Sequence, residues 1–176
     1  YTTFTVVEWV DVFTRDLYRQ IIYDSLIYCM REKGLQVHAY VIMSNHLHLI
    51  ISSTNESLSS IIRDFKRFTA KAILESIRTH PKESRRDWML PIFQEAGTQT
   101  ANTTKHQFWR HDNKPIPLWS EEVILQKLRY IHLNPVRAGW VKKASHWVHS
   151  SASAYEGGES LIPIELLAVW EDKYSE

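Results

Sequence analysis

Two strand-like runs, residues 35–43 and 46–52, stand next to each other with only Ser44 and Asn45 between them, and stretches of helical period flank the pair. Such neighbours form either an antiparallel pair joined by a tight turn or one long strand with a local irregularity. Upstream, Leu17, Ile21, Ile22, Leu26, Cys29 and Met30 recur at helical spacing over residues 16–33, and Gly34 sits where a C-terminal cap belongs. Downstream, Leu58, Ile61, Ile62, Phe65, Phe68, Ala72 and Ile73 predict a second helix over residues 57–79. Residues 2–13 are rich in β-branched and aromatic types and read as a first strand. Ser120, followed by Glu121 and Glu122, predicts a third helix that runs to about residue 133 and stops at Asn134-Pro135. The order strand, helix, strand, strand, helix, loop, helix predicts an α+β fold, an antiparallel sheet covered by helices, with a ferredoxin-like arrangement as the nearest common architecture.

At 176 residues and 44% hydrophobic composition, the chain is expected to be one domain spanning 1–176 with a sizeable core. The chain opens at Tyr1, already in strand-like sequence, so a few further residues are expected upstream. Pro81, Pro91, Pro115, Pro117 and the polar stretch 97–105 make residues 80–118 read as an irregular insertion or long loop, with a hairpin over 88–110 as one form it takes. Residues 144–176 read as a tail with turns over 149–159 and a short helix over 164–170.

Twenty-one Lys+Arg against 20 Asp+Glu leave a net charge of +1, which excludes a uniformly basic nucleic-acid coat. Any anion-binding surface must be local. The single cysteine, Cys29, excludes an internal disulfide and lies in an apolar run, as a buried structural thiol would. No apolar run exceeds five residues, against roughly 20 for a membrane span, so a cytoplasmic protein is expected. The 7 Trp, 8 Tyr and 6 Phe suit either a dense aromatic core or stacking surfaces for bases.

Three local features carry chemistry. In His46-Leu47-His48 the two imidazoles share one face of a strand while Leu47 and Leu49 take the other, a start for a metal site or simply a solvent face. Tyr130 and Asn134, four apart, share a helix face if the helix reaches that far. A phenol beside a metal can act as nucleophile and an amide oxygen can ligate, although a tyrosine in this setting also suits a core. Arg63, Lys66, Arg67 and Lys71 form a basic helix face, with Arg137, Lys142 and Lys143 near the tyrosine and with Phe108, Trp109 and Trp140 as candidate stacking rings. Glycine-rich phosphate loops, Cys-x-x-Cys, Gly-x-Ser-x-Gly and His-Glu-x-x-His are absent, so nucleotide hydrolysis, cysteine-bound zinc and serine hydrolysis have no support.

Ala39-Tyr40-Val41-Ile42-Met43-Ser44-Asn45-His46-Leu47-His48, followed by Tyr130-Ile131-His132-Leu133-Asn134-Pro135-Val136-Arg137-Ala138-Gly139-Trp140-Val141, resembles the single-tyrosine HUH transposases. Within them the likeness is to the REP-associated tyrosine transposases, and together the motifs are specific. The resemblance implies an HUH endonuclease fold, His46 and His48 as metal ligands with Asn134 in the place of a third, and Tyr130 as the nucleophile. It implies Mg2+ or Mn2+ as cofactor, and cleavage and rejoining of single-stranded DNA through a 5′-phosphotyrosine intermediate. Single-stranded or hairpin DNA would be the partner, held by Arg63, Lys66, Arg67, Lys71, Trp109, Arg110 and Arg137, in a monomer or a homodimer at the nucleoid. The alternative is a domesticated, non-catalytic binder of DNA hairpins.

Overall fold

The structure is a computed structural model and describes residues 1–98, 106–113 and 115–168. β1 (Thr2–Thr5) leads through two short 3-10 turns, Val7–Trp9 and Val12–Thr14, into α1 (Asp16–Lys33). β2 (Leu35–Ile42) and β3 (His46–Ser53) follow, then α2 (Leu58–Thr79), α3 (Arg86–Thr98), α4 (Glu121–Arg137) and the single turn α5 (Ala152–Tyr155). Among the described residues the sheet is three-stranded and antiparallel in the order β1-β3-β2. Ser44 and Asn45 are thus the turn of a hairpin. Gly34 ends α1 in the left-handed conformation, at φ 71°, and its N–H donates to the Cys29 carbonyl. A side chain there would also meet Thr54 Oγ1 at 2.7 Å.

The pleat divides the sheet into two faces. Phe4, Leu47 and Leu49 pack with α1, α2 and α3 in the larger core, which includes Tyr18, Ile22, Phe65, Ile73, Met89 and Phe93. Cys29 is buried in this layer, and burial pushes its thiol up. The opposite face carries Ala39, Val41 and Ile50 against Leu128 and Ile131 of α4 and Tyr155 of α5. A register shift at His38 lets Val37 face one core and Ala39 the other. One helical layer therefore covers each side, as an α+β sandwich requires.

Both sheet edges are covered by irregular chain. Arg110 N–H donates to the Thr5 carbonyl at 2.8 Å, Val7 N–H donates to Phe108, and Val6 bridges Trp109, so residues 107–110 flank β1. On the far side Ile42 N–H donates to His149 and Ser151 N–H to Tyr40. Exposed edges invite association with other strands, and this arrangement removes them.

Four sequence expectations need correction. The first strand stops at Thr5 instead of reaching residue 13, because Glu8 and Trp9 adopt positive φ (50° and 54°), which a strand cannot hold. Residues 80–118 are not irregular throughout and hold no 88–110 hairpin: α3 occupies Arg86–Thr98, burying Met89, Phe93 and Gly97 at four-residue spacing. Pro91 lies inside that helix, where it removes the hydrogen bond its nitrogen would have made and crowds the Asp87 carbonyl, a cost the buried stripe outweighs. Third, α4 does not stop at Asn134-Pro135 but continues to Arg137, with Pro135 buried on the same stripe as Leu125, Leu128 and Ile131. Packing on the sheet outweighs the bond lost at the proline. The expected helix over 164–170 is not formed by 164–167, and its end lies outside the described residues.

The loop before α3 is pinned to α1. Tyr18 Oη donates to Glu83 Oε2 at 2.6 Å, Arg85 Nε donates to Glu83 Oε1 at 3.1 Å, and Arg15 Nε lies 3.1 Å from Glu83 Oε2. No helix among the described residues is long and apolar enough to cross a membrane.

Candidate active site

His46 and His48 point from β3 toward the α4 side of the sheet, and their ring centroids are 4.8 Å apart. A solvent face is not what they occupy, since His48 is only 4% exposed. Burial holds both imidazoles neutral, pushing His46 down to about 4 and His48, whose proton would also be repelled by one on His46 and by the Lys127 ammonium, down to about 3.

The hydrogen bonds around the two rings fix what each nitrogen can do. Asn45 Nδ2 donates to the Trp9 carbonyl at 3.1 Å, which turns Asn45 Oδ1 toward His46 Nδ1 at 2.7 Å. An amide oxygen only accepts, so Nδ1 carries the proton and Nε2 keeps the lone pair. For His48, Nδ1 meets Thr3 Oγ1 and Tyr1 Oη, each at 2.8 Å, and both hydroxyls can accept its proton. His48 Nε2 is buried with no hydrogen-bond partner among the described residues. A buried imidazole nitrogen left orphaned costs free energy unless something binds it. Two neutral imidazoles whose Nδ1 atoms are occupied by protein groups are the donor set a borderline divalent cation takes.

Tyr130 projects from α4 onto this pair. Its ring stands edge to face with His48 at 5.2 Å between centroids and with Tyr1 at 6.3 Å, while 38% of it stays exposed. The Arg137 guanidinium lies 5.5 Å from the Tyr130 ring centroid, and Lys127 Nζ lies 5.0 Å from that of the neighbouring Tyr1, so one cation lies beside the phenol and a second beside the ring that touches it. Asn134 is one helical turn beyond Tyr130, half-buried on a helix that continues past it, as the shared-face reading requires.

The predicted DNA-binding residues divide. Arg137 and Arg110 are exposed, the first beside Tyr130 and the second over the ring of Trp9 at 5.8 Å. Trp109 is a core residue, 4% exposed, packed against Phe4, Phe13 and Phe108 and donating its indole N–H to Thr69 Oγ1 at 3.0 Å. Its ring has no free face for a base. Lys66 is a strut whose ammonium donates to the Arg110 carbonyl and Asn113 Oδ1, both at 2.8 Å, and burial pushes it down to about 8. Arg63, Arg67 and Lys71 are exposed, but α2 packs on the sheet face opposite the histidines. Sequence reasoning missed Asn45, Thr3 and Trp9. Thr3 is recognisable only from the strand pairing, which sets it directly across from His48, and Asn45 only from its bonds to Trp9 and His46.

The family model described as "Transposase IS200 like" matches residues 3–95, more than half of the chain. The chain belongs to that family. A curated relative, the REP-associated tyrosine transposase of Escherichia coli (strain K12), is 24% identical over 135 residues, covering 75% of this chain. The chain spans 63% of that relative's length. A solved structure of a REP-associated tyrosine transposase bound to a REP hairpin superposes with a TM-score of 0.60 at 19% identity, over 95% of this chain and 83% of that one. This member of the IS200-like transposases thus has the HUH-type α+β fold that its motifs implied.

Proposed function

We propose that this transposase-family chain cleaves and rejoins single-stranded DNA beside a hairpin, with Tyr130 as nucleophile. The observation that carries the reading is the contact of Tyr130 with His48, whose Nε2 is buried and unpartnered next to a second neutral imidazole. His46 and His48 would hold a divalent ion through their Nε2 atoms, with the Asn134 amide oxygen as a third donor; of the two ions the motifs imply, Mg2+ and Mn2+, two imidazole nitrogens favour the softer Mn2+. When bound, the ion would act as a Lewis acid on the scissile phosphate.

The chain's own residues supply the rest. The Tyr130 oxygen attacks phosphorus, the bond to the 3′-oxygen breaks, and the phenol proton is released while the leaving oxygen gains one. The products are a 5′-phosphotyrosine and a free 3′-hydroxyl. Because the phosphodiester bond is exchanged for another ester, attack by a 3′-hydroxyl on the phosphotyrosine rejoins strands without a nucleotide cofactor. Arg137, beside the Tyr130 ring, meets the incoming phosphate and offsets charge that builds in the transition state. Asn45, Thr3 and Tyr1 hold the imidazoles in orientation, so the donors need not reorganise when substrate arrives. The solved relative's REP hairpin makes hairpin DNA with an unpaired flank the substrate proposed here.

The test is cleavage of an end-labelled DNA hairpin with single-stranded flanks. Cut strand should appear with Mg2+ or Mn2+, vanish with chelator, and be lost in Tyr130→Phe and in the double variant His46→Ala, His48→Ala. Cleavage that survives Tyr130→Phe would overturn the nucleophile assignment. Tight binding by the wild type without cleavage under either ion would leave the non-catalytic hairpin binder as the function.

A further inference from the structure

We propose that the cleft beside Trp9 binds an unpaired nucleobase of the same DNA strand whose phosphate reaches His46 and His48. The proposal rests on the DNA-cleaving reading above and adds to it a substrate-positioning residue that neither motif contains.

Trp9 lies in the short turn after β1 with 55% of its surface exposed, and its ring stands nearly perpendicular to His46 at 5.9 Å between centroids. A base stacked on it would be a close neighbour of the candidate metal ligands. The Arg110 guanidinium sits 5.8 Å from the Trp9 centroid, so a cation is in place for the phosphate that accompanies a stacked base. A cleft of 550 Å³ opens between this turn, α3 and the chain along the sheet edge, within the size range of small-ligand pockets. Its walls include Val7, Gln107, Arg110, His111 and Asp112, which combine hydrogen-bond donors and acceptors around one flat apolar ring. That combination matches a flat ring with polar edges, and every base has a π-face for the indole.

The turn that carries the ring is held before anything binds. Glu8 and Trp9 both take positive φ, a conformation that side-chain-bearing residues adopt only where the surroundings enforce it. Trp9 N–H donates to the Val6 carbonyl at 3.2 Å, and its carbonyl accepts from Asn45 Nδ2, the amide that also sets the His46 tautomer. Asn45 therefore ties the backbone that carries the stacking ring to the metal-ligand candidate.

The experiment uses the full chain and a DNA hairpin of mixed-sequence single-stranded flank, with 2-aminopurine placed at successive flank positions, against the same hairpin with blunt ends. The wild type should bind the flanked hairpin more tightly and quench 2-aminopurine at one flank position. Trp9→Ala should weaken flanked-hairpin binding by about 5- to 100-fold, the range expected for losing one base–aromatic stack, and abolish the quenching. Trp9→Tyr should restore both, and because residue 9 is exposed the circular dichroism spectrum should not change. If the wild type binds neither hairpin, the DNA-cleaving reading fails and takes the cleft with it. If the wild type binds the flanked hairpin and Trp9→Ala keeps both affinity and quenching, the cleft alone is overturned.

Discussion

Thr3 stands across from His48 in the β1–β3 pairing and brings its hydroxyl oxygen to 2.8 Å from His48 Nδ1. The register of the sheet thereby decides which imidazole nitrogen is left for a ligand. Thr3→Val keeps the β-branched shape and removes the hydroxyl. It should lower divalent-ion affinity by about 10- to 100-fold, as loss of a group that orients a metal-bound histidine does, with about 1 kcal/mol lost in stability. Thermal melts with increasing Mn2+ would show this: the ion raises the wild-type melting temperature by mass action, the rise needs more ion in Thr3→Val, and it is absent when His46 and His48 are both alanine.

Residues that composition assigns to a nucleic-acid surface act instead in the core and at the sheet edge. Trp109→Ala should cost about 3–5 kcal/mol, the range for removing a large buried aromatic, measured by urea unfolding. Lys66→Met should shift the unfolding midpoint through lost bonds to Arg110 and Asn113, while leaving the salt dependence of hairpin binding unchanged.

Arg137 should behave in the opposite way. Exposed beside Tyr130, it is positioned for a phosphate, so Arg137→Gln should weaken hairpin binding and reduce the slope of log K against log salt by about 1. Fluorescence anisotropy at several salt concentrations measures the slope, and unfolding should be nearly unaffected.

Acid stability should depend on Glu83. Burial alone would raise its pKa, but hydrogen bonds from Arg85 and Tyr18 overcome that and hold it at about 2, against an ordinary 4.5. The folded-state value is depressed, so the stabilisation is present above pH 4.5 and is lost as pH falls through about 2. Its size is on the order of 3 kcal/mol. His132, buried against Ser151 and Tyr155, is pushed down from 6.5 to about 4 by burial, so acid erodes stability in that range too because the unfolded chain takes the proton first. Unfolding midpoints against pH should therefore fall in two stages, and Glu83→Gln should flatten the lower one.

Much of this was legible because local signals and tertiary demands agreed. The apolar periods of α1 and α2, the Gly34 cap, the Ser120 cap and the Ser44-Asn45 turn each mark an element that the packing also requires. Most of the misses share one cause, a residue type whose local preference is outweighed by packing. Pro91 and Pro135 discourage helices that buried stripes hold together. Glu8 and Trp9 interrupt a β-rich run through backbone angles that composition does not reveal. Trp109 and Lys66, stacking ring and phosphate cation by type, are turned inward by Thr69 and by the chain flanking β1. At the site, the spacing of His46 and His48 disclosed their shared face, whereas their contact with Tyr130 depends on how α4 crosses the sheet, which no local pattern encodes.

The most direct measurement is to trap the covalent intermediate and find its residue. Wild-type protein incubated with flanked hairpin DNA and Mg2+ or Mn2+ should give a denaturant-resistant protein–DNA band. After nuclease and protease digestion, mass spectrometry should place a nucleotide phosphate on the peptide containing Tyr130, and Tyr130→Phe should form no band. A nucleotide attached to any other residue, or a band that persists in Tyr130→Phe, would contradict the account.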